Sequence, residues 1–440
     1  MISTLFRKAS VILAGKEGLT ASIQTLLVSV AILGVNILTG IITARVLGPE
    51  GRGQQEAIAL WPIFLARVFT LGLPSSLIYN LKKTPNQASQ LFSATLLTAL
   101  GAGALAAGIG FVFVPYWLDN YSAGVVRSAQ LLMLLAPAVL LDEVYTSALR
   151  VQREFRTYNI IRWLRPLSTL ALLLIFTLLG RLTPLSAGFS YVVPSLPIAI
   201  WLLSYLWKFY APVWRGLRGA FTRLLSYGIR SYGDLLGNLT MQLEKVFVIG
   251  LLSAPSMGLY VVSLSLSRML NVFQTAVVAV LFPKAAGAST EKAVEMAGRA
   301  VRVSTAVTTV SAVGLGVLGP WVLKLLYGAE FQEATNLMRL LIANSVVDGT
   351  IWVLAQAFMA TGRPGWVTIF QSVGLAFSIP LLFLFVPKFG LLGAGFALLC
   401  ASIVRFGFVA AAYPLVLKTP TPSILIRVSD IKEISRRLFG

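Results

Sequence analysis

The 440-residue chain is 57% hydrophobic and 12% charged, about half the charged share of a soluble domain, so it cannot cover a water-exposed surface of this size. Thirty-six basic against 16 acidic residues give a net charge of +20. Histidine is absent and Cys400 is the single cysteine, which removes His-based zinc sites, His triads, His proton relays, disulfide frameworks and CxxC sites. In so apolar a chain the Lys and Arg excess reads as the orientation signal of a membrane protein. No nucleic-acid partner and no metal are expected from it.

A helix needs about 20 mostly apolar residues to cross a bilayer. In chain order, segment 1–19 carries Arg7, Lys8 and Lys16 among apolar residues, and it reads as a short cytoplasmic interfacial helix rather than a cleavable signal peptide. Twelve apolar stretches follow: 20–44, 56–80, 88–113, 127–148, 159–180, 184–207, 228–252, 257–282, 300–322, 334–360, 365–386 and 389–415. The expected fold is an all-α polytopic membrane protein. Its 12 transmembrane helices form two parallel six-helix bundles, 20–207 and 228–415, around a central cleft. A cytoplasmic linker covers 208–227 and a basic cytoplasmic tail covers 416–440. No connection is long enough for a folded soluble domain. With an inner N-terminus, 25 Lys or Arg fall on inner segments, six on outer loops and five deep in spans. That asymmetry places both termini in the cytoplasm.

The halves superpose at an offset of 205–207 residues. Gly53 matches Gly258, Pro115-Tyr-Trp117-Leu118 matches Pro320-Trp321-Val-Leu323, Arg181 matches Lys388, and Ala187-Gly188-Phe189 matches Ala394-Gly395-Phe396. Each match falls at the corresponding place in the span pattern, as an internal repeat requires. A six-span unit re-enters the membrane in its original orientation. The copies are then related by an axis along the membrane normal, a plan that permits alternating access by rocking.

Charges inside spans are costly and face the protein interior or a water-filled cavity. Arg67 in span 2 and Arg268 in span 8 occupy equivalent spans, one helical turn apart in the repeat. Lys245, Arg339 and Arg405 add to the candidate set. A guanidinium fork suits phosphate oxygens bidentately, so these five are candidate contacts for a diphosphate or other anionic headgroup. Asp348, Glu244 and Asp234 are candidates for ion coupling or for neutral inter-helix pairs with the same basic residues. Asn36 and Gln274 read as helix-packing hydrogen bonds.

The stretch Thr43-Ala44-Arg45-Val46-Leu47-Gly48-Pro49-Glu50-Gly51-Arg52-Gly53 resembles the polysaccharide and oligosaccharide flippases of the multidrug/oligosaccharidyl-lipid/polysaccharide (MOP) exporter superfamily. Glu244-Lys245, Gly258-Leu259-Tyr260, Leu326-Tyr327-Gly328, Gly362-Arg363 and Pro387-Lys388-Phe389-Gly390-Leu391-Leu392-Gly393-Ala394 follow in the family's order. Arg52, Gln54 and Glu244 depart from the residues usual at their positions. The resemblance implies a non-enzymatic transporter that flips a polyprenyl-diphosphate-linked oligosaccharide from the inner to the outer leaflet of the cell membrane. It implies no cofactor, coupling to Na+, H+ or the membrane potential, and membrane lipids as surroundings. It further implies a monomer working beside the polysaccharide polymerisation machinery. The alternatives are a small-molecule exporter of the same superfamily and a membrane oligosaccharide polymerase or ligase. Short outer loops and the absence of histidine count against the last.

Overall fold

Proline and glycine set the helix boundaries. The computed structural model describes residues 18–427 apart from 153, 286 and 287; for 18–30, 155, 232–241, 279, 280 and 282–284 only the backbone course is described. No strand occurs among the described residues. The helices are α1 (Gly18–Val68), α2 (Leu73–Lys83), α3 (Ala88–Trp117), α4 (Ala123–Met133), α5 (Ala136–Ala148), α6 (Phe155–Leu178) and α7 (Pro184–Val192). They continue with α8 (Ser195–Tyr210), α9 (Arg218–Leu251), α10 (Ala254–Arg268), α11 (Asn271–Ala285), α12 (Thr290–Tyr327), α13 (Thr335–Ala360) and α14 (Pro364–Ala412). Proline stands in the first turn of α2, α5, α7, α10 and α14, where its missing N–H removes no helical hydrogen bond. Thr183 and Ser186 close a reciprocal capping box at the start of α7.

Among the described residues seven helices are long and apolar enough to cross a membrane, or nine when each of two bent pairs counts as one span. The helices do not follow the expected stretches one for one. α1 and α14 are each two helices joined at a kink, so stretches 20–44 and 56–80, and 365–386 and 389–415, form separate arms of one element. Each join passes through a glycine with positive φ, Gly48 (65°) and Gly390 (54°), a conformation costly for other residues. Conversely, stretch 56–80 is broken at 69–72, where Leu71 and Gly72 both have positive φ. Stretches 127–148 and 257–282 bend by 46° and 42° between α4 and α5 and between α10 and α11. The linker 208–227 is helical from Arg218 onward, as the start of α9. Segment 1–17 and the tail from 428 lie outside the described residues.

The chain divides into two compact units. Unit 1 runs to Leu47 and resumes over Gln54–Leu235; unit 2 holds Gly48–Gly53 and everything from Leu236. In unit 1, α5 is the central helix and packs on α2, α3 and α8. Its Tyr145 stacks on Phe92, which stacks in turn on Tyr210 (centroids 5.0 and 5.4 Å). In unit 2, α13 is central and packs on α10, α11, α12 and α14. There Phe358 meets Phe370 and Tyr413 edge-on, and the Tyr413 hydroxyl donates to the Leu354 carbonyl at 2.8 Å. Outward positions are apolar instead: Phe111, Val112 and Phe113 are 55%, 58% and 60% exposed in one run of α3, a surface suited to lipid.

Within unit 2 the segment 48–53 is seated on the start of α10 by a reciprocal backbone contact. A Cβ on Gly53 would lie 1.8 Å from the Ala254 carbonyl oxygen, and one on Gly258 would lie 1.9 Å from that of Pro49. Gly53 and Gly258 are repeat mates at offset 205, and so are Pro49 and Ala254. The contact therefore has the reciprocity of a two-fold interface. Neither carbonyl can retreat without disturbing its helix. Gly53→Ala and Gly258→Ala are each expected to destabilise by at least about 1–3 kcal/mol through overpacking. Thermal unfolding of the purified variants measures this, with Gly101→Ala, where a Cβ meets nothing within 4 Å, as the neutral control.

Candidate functional site

Each unit places an aspartate on its central helix and meets it with a guanidinium from another helix. In unit 1, Asp142 of α5 is 2% exposed, and Arg165 of α6 donates from Nη2 to its Oδ2 at 2.5 Å. Thr146, one turn further along α5, donates to Oδ1 at 3.3 Å. The neighbouring Glu143 lies 3.5 Å from Nε of Arg67. An unpaired carboxylate at such depth costs several kcal/mol, so the arginines are required wherever the acids are.

In unit 2, Asp348 of α13 is held more closely. Its Oδ1 accepts from Nη2 of Arg405 and from the Ser402 hydroxyl, both at 2.6 Å. Its Oδ2 accepts from Asn344 at 3.2 Å. Arg405 donates its other terminal nitrogen to Gln371 at 2.9 Å. Gly374 leaves room for the arginine stem, since a Cβ there would lie 2.9 Å from Cδ of Arg405. Glu244 of α9 faces Ser378, and the charges acting on it are Asp348, Arg405 and Arg268. Unit 2 thus gathers Glu244, Arg268, Asp348 and Arg405 from four helices, with two carboxylates against two guanidinium groups.

The two centres are versions of one plan. Asp348 follows Asp142 by 206 residues, within the repeat offset, and Gln371 follows Arg165 by the same 206. The repeat keeps the aspartate and relocates its guanidinium from α6 in unit 1 to the second half of α14 in unit 2. Sequence reasoning missed this, since neither Asp142 nor Arg165 is among the candidates it singles out. The offset that aligns the glycine motifs also aligns the aspartates, and would have found the pair.

Arg67 and Arg268 share a different local setting. Arg67 is in the last turn of α1 before the break at 69–72, and Arg268 is in the last turn of α10 before the break at 269–270. Both are half-buried. A helix end presents unpaired carbonyls and the negative pole of the helix dipole, so a cation is stabilised there. Arg268 forms no side-chain hydrogen bond among the described residues, and Glu244 lies within its electrostatic reach. Lys245, half-buried beside Glu244 in sequence, is engaged in an interaction of its own. Arg339 is exposed near the start of α13, where it donates to the Gly316 carbonyl at 3.2 Å and to Asn336 at 3.3 Å. The side chain of Asp234 lies outside the described residues. No group of three or more His, Cys, Asp or Glu able to hold a metal occurs among the described residues.

Residues 20–287 match the family described as polysaccharide biosynthesis protein. The chain belongs to this family. No curated protein sequence matches it. Among solved structures, it is similar to the lipid II flippase MurJ in an inward closed conformation, with a TM-score of 0.74 at 15% identity over 93% of this chain and 89% of that one. It is similar also to an inward-facing multidrug resistance MATE family transporter of the MOP superfamily, with a TM-score of 0.69 at 14% identity over 90% of this chain and 99% of that one. A third is a MOP superfamily transporter from Pyrococcus furiosus, with a TM-score of 0.60 at 15% identity over 91% and 96% of the two chains. At these identities the likeness shows a shared fold. This member of the polysaccharide biosynthesis family is a multi-pass membrane protein with the fold of MOP superfamily transporters.

The paired centres predict strongly non-additive mutants. Arg405→Ala leaves Asp348 uncompensated and is expected to destabilise by about 3–5 kcal/mol, whereas Arg405→Ala with Asp348→Ala recovers most of that loss. The same holds for Arg165→Ala and Asp142→Ala in unit 1. Denaturant unfolding of each single and double variant closes both cycles.

Proposed function

We propose that this protein flips a polyprenyl-diphosphate-linked oligosaccharide from the inner to the outer leaflet of the cell membrane by alternating access. It works without making or breaking a covalent bond. Arg67 and Arg268 hold the diphosphate. The observation that carries this reading is their shared position: one half-buried guanidinium in each unit, in the last helical turn before a break. A helix break inside a span frees backbone groups, and such irregular backbone is tolerated where it is buried in protein or lines a water-filled cavity. Arg405 and Arg165 are held on Asp348 and Asp142 at 2.6 and 2.5 Å, closer than Arg67 on Glu143 at 3.5 Å, and are left to structure. Lys245 and Arg339 are secondary contacts of the same headgroup.

The topology proposed is twelve spans in two six-span repeats, with both termini in the cytoplasm. Gly48 and Gly390 support it. Gly48 aligns at offset 205 with Ser253, the N-cap of α10, and Gly390 aligns at offset 207 with Thr183, the N-cap of α7. Each glycine therefore stands where the other half begins a new helix, so α1 and α14 each count as two spans. With the two bent pairs and α9, this reaches twelve. Coupling to H+, Na+ or the membrane potential is assigned to Glu244, because Asp348 is already neutralised by Arg405. No cofactor takes part. The protein acts as a monomer beside the polysaccharide polymerisation machinery.

Ligand-induced thermal stabilisation tests the reading. The panel is a polyprenyl-diphosphate oligosaccharide, the bare polyprenyl diphosphate, a soluble sugar phosphate and an organic cation. Each is added to wild type and to Arg67→Ala with Arg268→Ala. Stabilisation by both lipid diphosphates, lost in the double variant, is expected. Stabilisation by the organic cation alone, indifferent to the arginines, would make the protein a small-molecule exporter instead.

A further inference from the structure

Unit 1 contains a pocket that the transport reading does not use. It measures about 520 Å³ and is lined by Ser75, Ile78, Tyr79, Lys82, Lys83, Tyr227 and Ser231. Its two walls are the C-terminal part of α2 and the early part of α9. Their crossing is tight: the Ser76 hydroxyl donates to the Leu224 carbonyl at 2.7 Å, and a Cβ on Gly72 would lie 2.1 Å from the Gly228 carbonyl oxygen. On this base Tyr79 and Tyr227 stack, with centroids 4.1 Å apart and planes within 13°. Lys83 is fixed over the stack, donating to the Tyr79 hydroxyl at 3.1 Å. Lys82 forms no hydrogen bond or ion pair among the described residues and is exposed at the rim.

The charge around the pocket is one-sided. Segments 69–87 and 211–233, which supply both walls, hold Lys82, Lys83, Arg215, Arg218, Arg223 and Arg230 and no acidic residue. The repeat does not explain the two lysines. At offsets of 205–207 their counterparts fall on Gly287, Ala288, Ser289 and Thr290, none of them basic. Lysines beside tyrosines at one end of a transmembrane helix meet the membrane at headgroup depth, where cations attract anionic lipid and aromatic rings sit between acyl chains and water.

We infer that this pocket binds the phosphate headgroup of an anionic membrane phospholipid, with Lys82 and Lys83 on the phosphate and the Tyr79–Tyr227 stack as a shelf for the glycerol and upper acyl chain. The bound lipid bridges α2 and α9 at the junction where the chain enters its second half. The site is independent of the diphosphate contacts at Arg67 and Arg268, and it requires no particular transport substrate.

The test is lipid retention by the intact protein, reconstituted in nanodiscs of phosphatidylcholine with phosphatidylglycerol, released into detergent and weighed by native mass spectrometry. Wild type is expected to keep a phosphatidylglycerol molecule. Lys82→Gln with Lys83→Gln should weaken that binding roughly thirtyfold, from about a factor of five per lysine at a membrane surface. Tyr227→Leu should shorten retention with both lysines in place. Arg215→Gln with Arg218→Gln, which removes equal charge from segment 211–233 outside the pocket, should retain the lipid as wild type does. Equal retention in the lysine and arginine variants, or equal loss in both, would overturn the proposal in favour of diffuse attraction. Stabilisation by inorganic phosphate without retention of phosphatidylglycerol would also overturn it, by making the ligand a free anion. The lysines are exposed, and unchanged thermal unfolding of their variant in phosphatidylcholine alone shows that the fold is intact.

Discussion

An aspartate on the central helix of each unit, buried in unit 1 and half-buried in unit 2, constrains what packs around it. Asp142 and Asp348 sit on the helices that make the most neighbours in their units, α5 and α13. A carboxylate there must be neutralised from another helix, which ties α6 to α5 through Arg165 in one unit and α14 to α13 through Arg405 in the other. Burial of aromatic rings would pack these helices in several rotations about their axes. A 2.5–2.6 Å charged hydrogen bond permits far fewer, because the guanidinium must arrive in plane and at one height. In lipid, where apolar surface gives little preference between packings, such polar fixtures carry much of the specificity.

The glycine contact supplies the complementary constraint on the backbone. Two helix openings meet carbonyl to Cα, through Gly53 against Ala254 and Gly258 against Pro49. Contacts of this closeness tolerate no side chain and act as a stop, where the charged pairs act as a tether. Small residues at crossings and a few polar ties are the two devices available to a helix bundle without a hydrophobic driving force. This chain uses the first at its repeat-related openings and the second at the middle of each unit.

Much of this was legible in the sequence, for stated physical reasons. Hydropathy located the apolar segments, because a bilayer admits few alternatives to an apolar helix. The resemblance reached the correct family on loop motifs whose glycines have backbone roles. The joints inside α1 and α14 were legible as well, since the expected stretches part between 44 and 56 and between 386 and 389. Gly48 and Gly390 are non-helical at these joints and separate the two arms of each. Leu71 and Gly72 stop a helix inside a run that hydropathy reads as uninterrupted. Charge partners were the weakest part. Asp348 stood out as a possible partner for the span arginines, but one-dimensional reading could not say which arginine meets it, and the fold gives Arg405, 57 positions later. Arg67 and Arg268 stood out from the sequence, yet their placement at helix ends came only from the fold.

The relocated guanidinium also bears on how the two halves could have diverged from one ancestral unit. Unit 1 takes its arginine from position 165, and unit 2 has glutamine at the equivalent position 371 with arginine at 405. A direct exchange passes through one of two intermediates. With neither arginine, the aspartate is left bare in the interior, a state several kcal/mol less stable and near the limit of folding. With both, the surplus cation can still reach water or a lipid phosphate by extending its stem. The passable route therefore gains the second arginine before the first is lost. In this chain the acid keeps its place in both halves, and the base that answers it comes from a different helix in each.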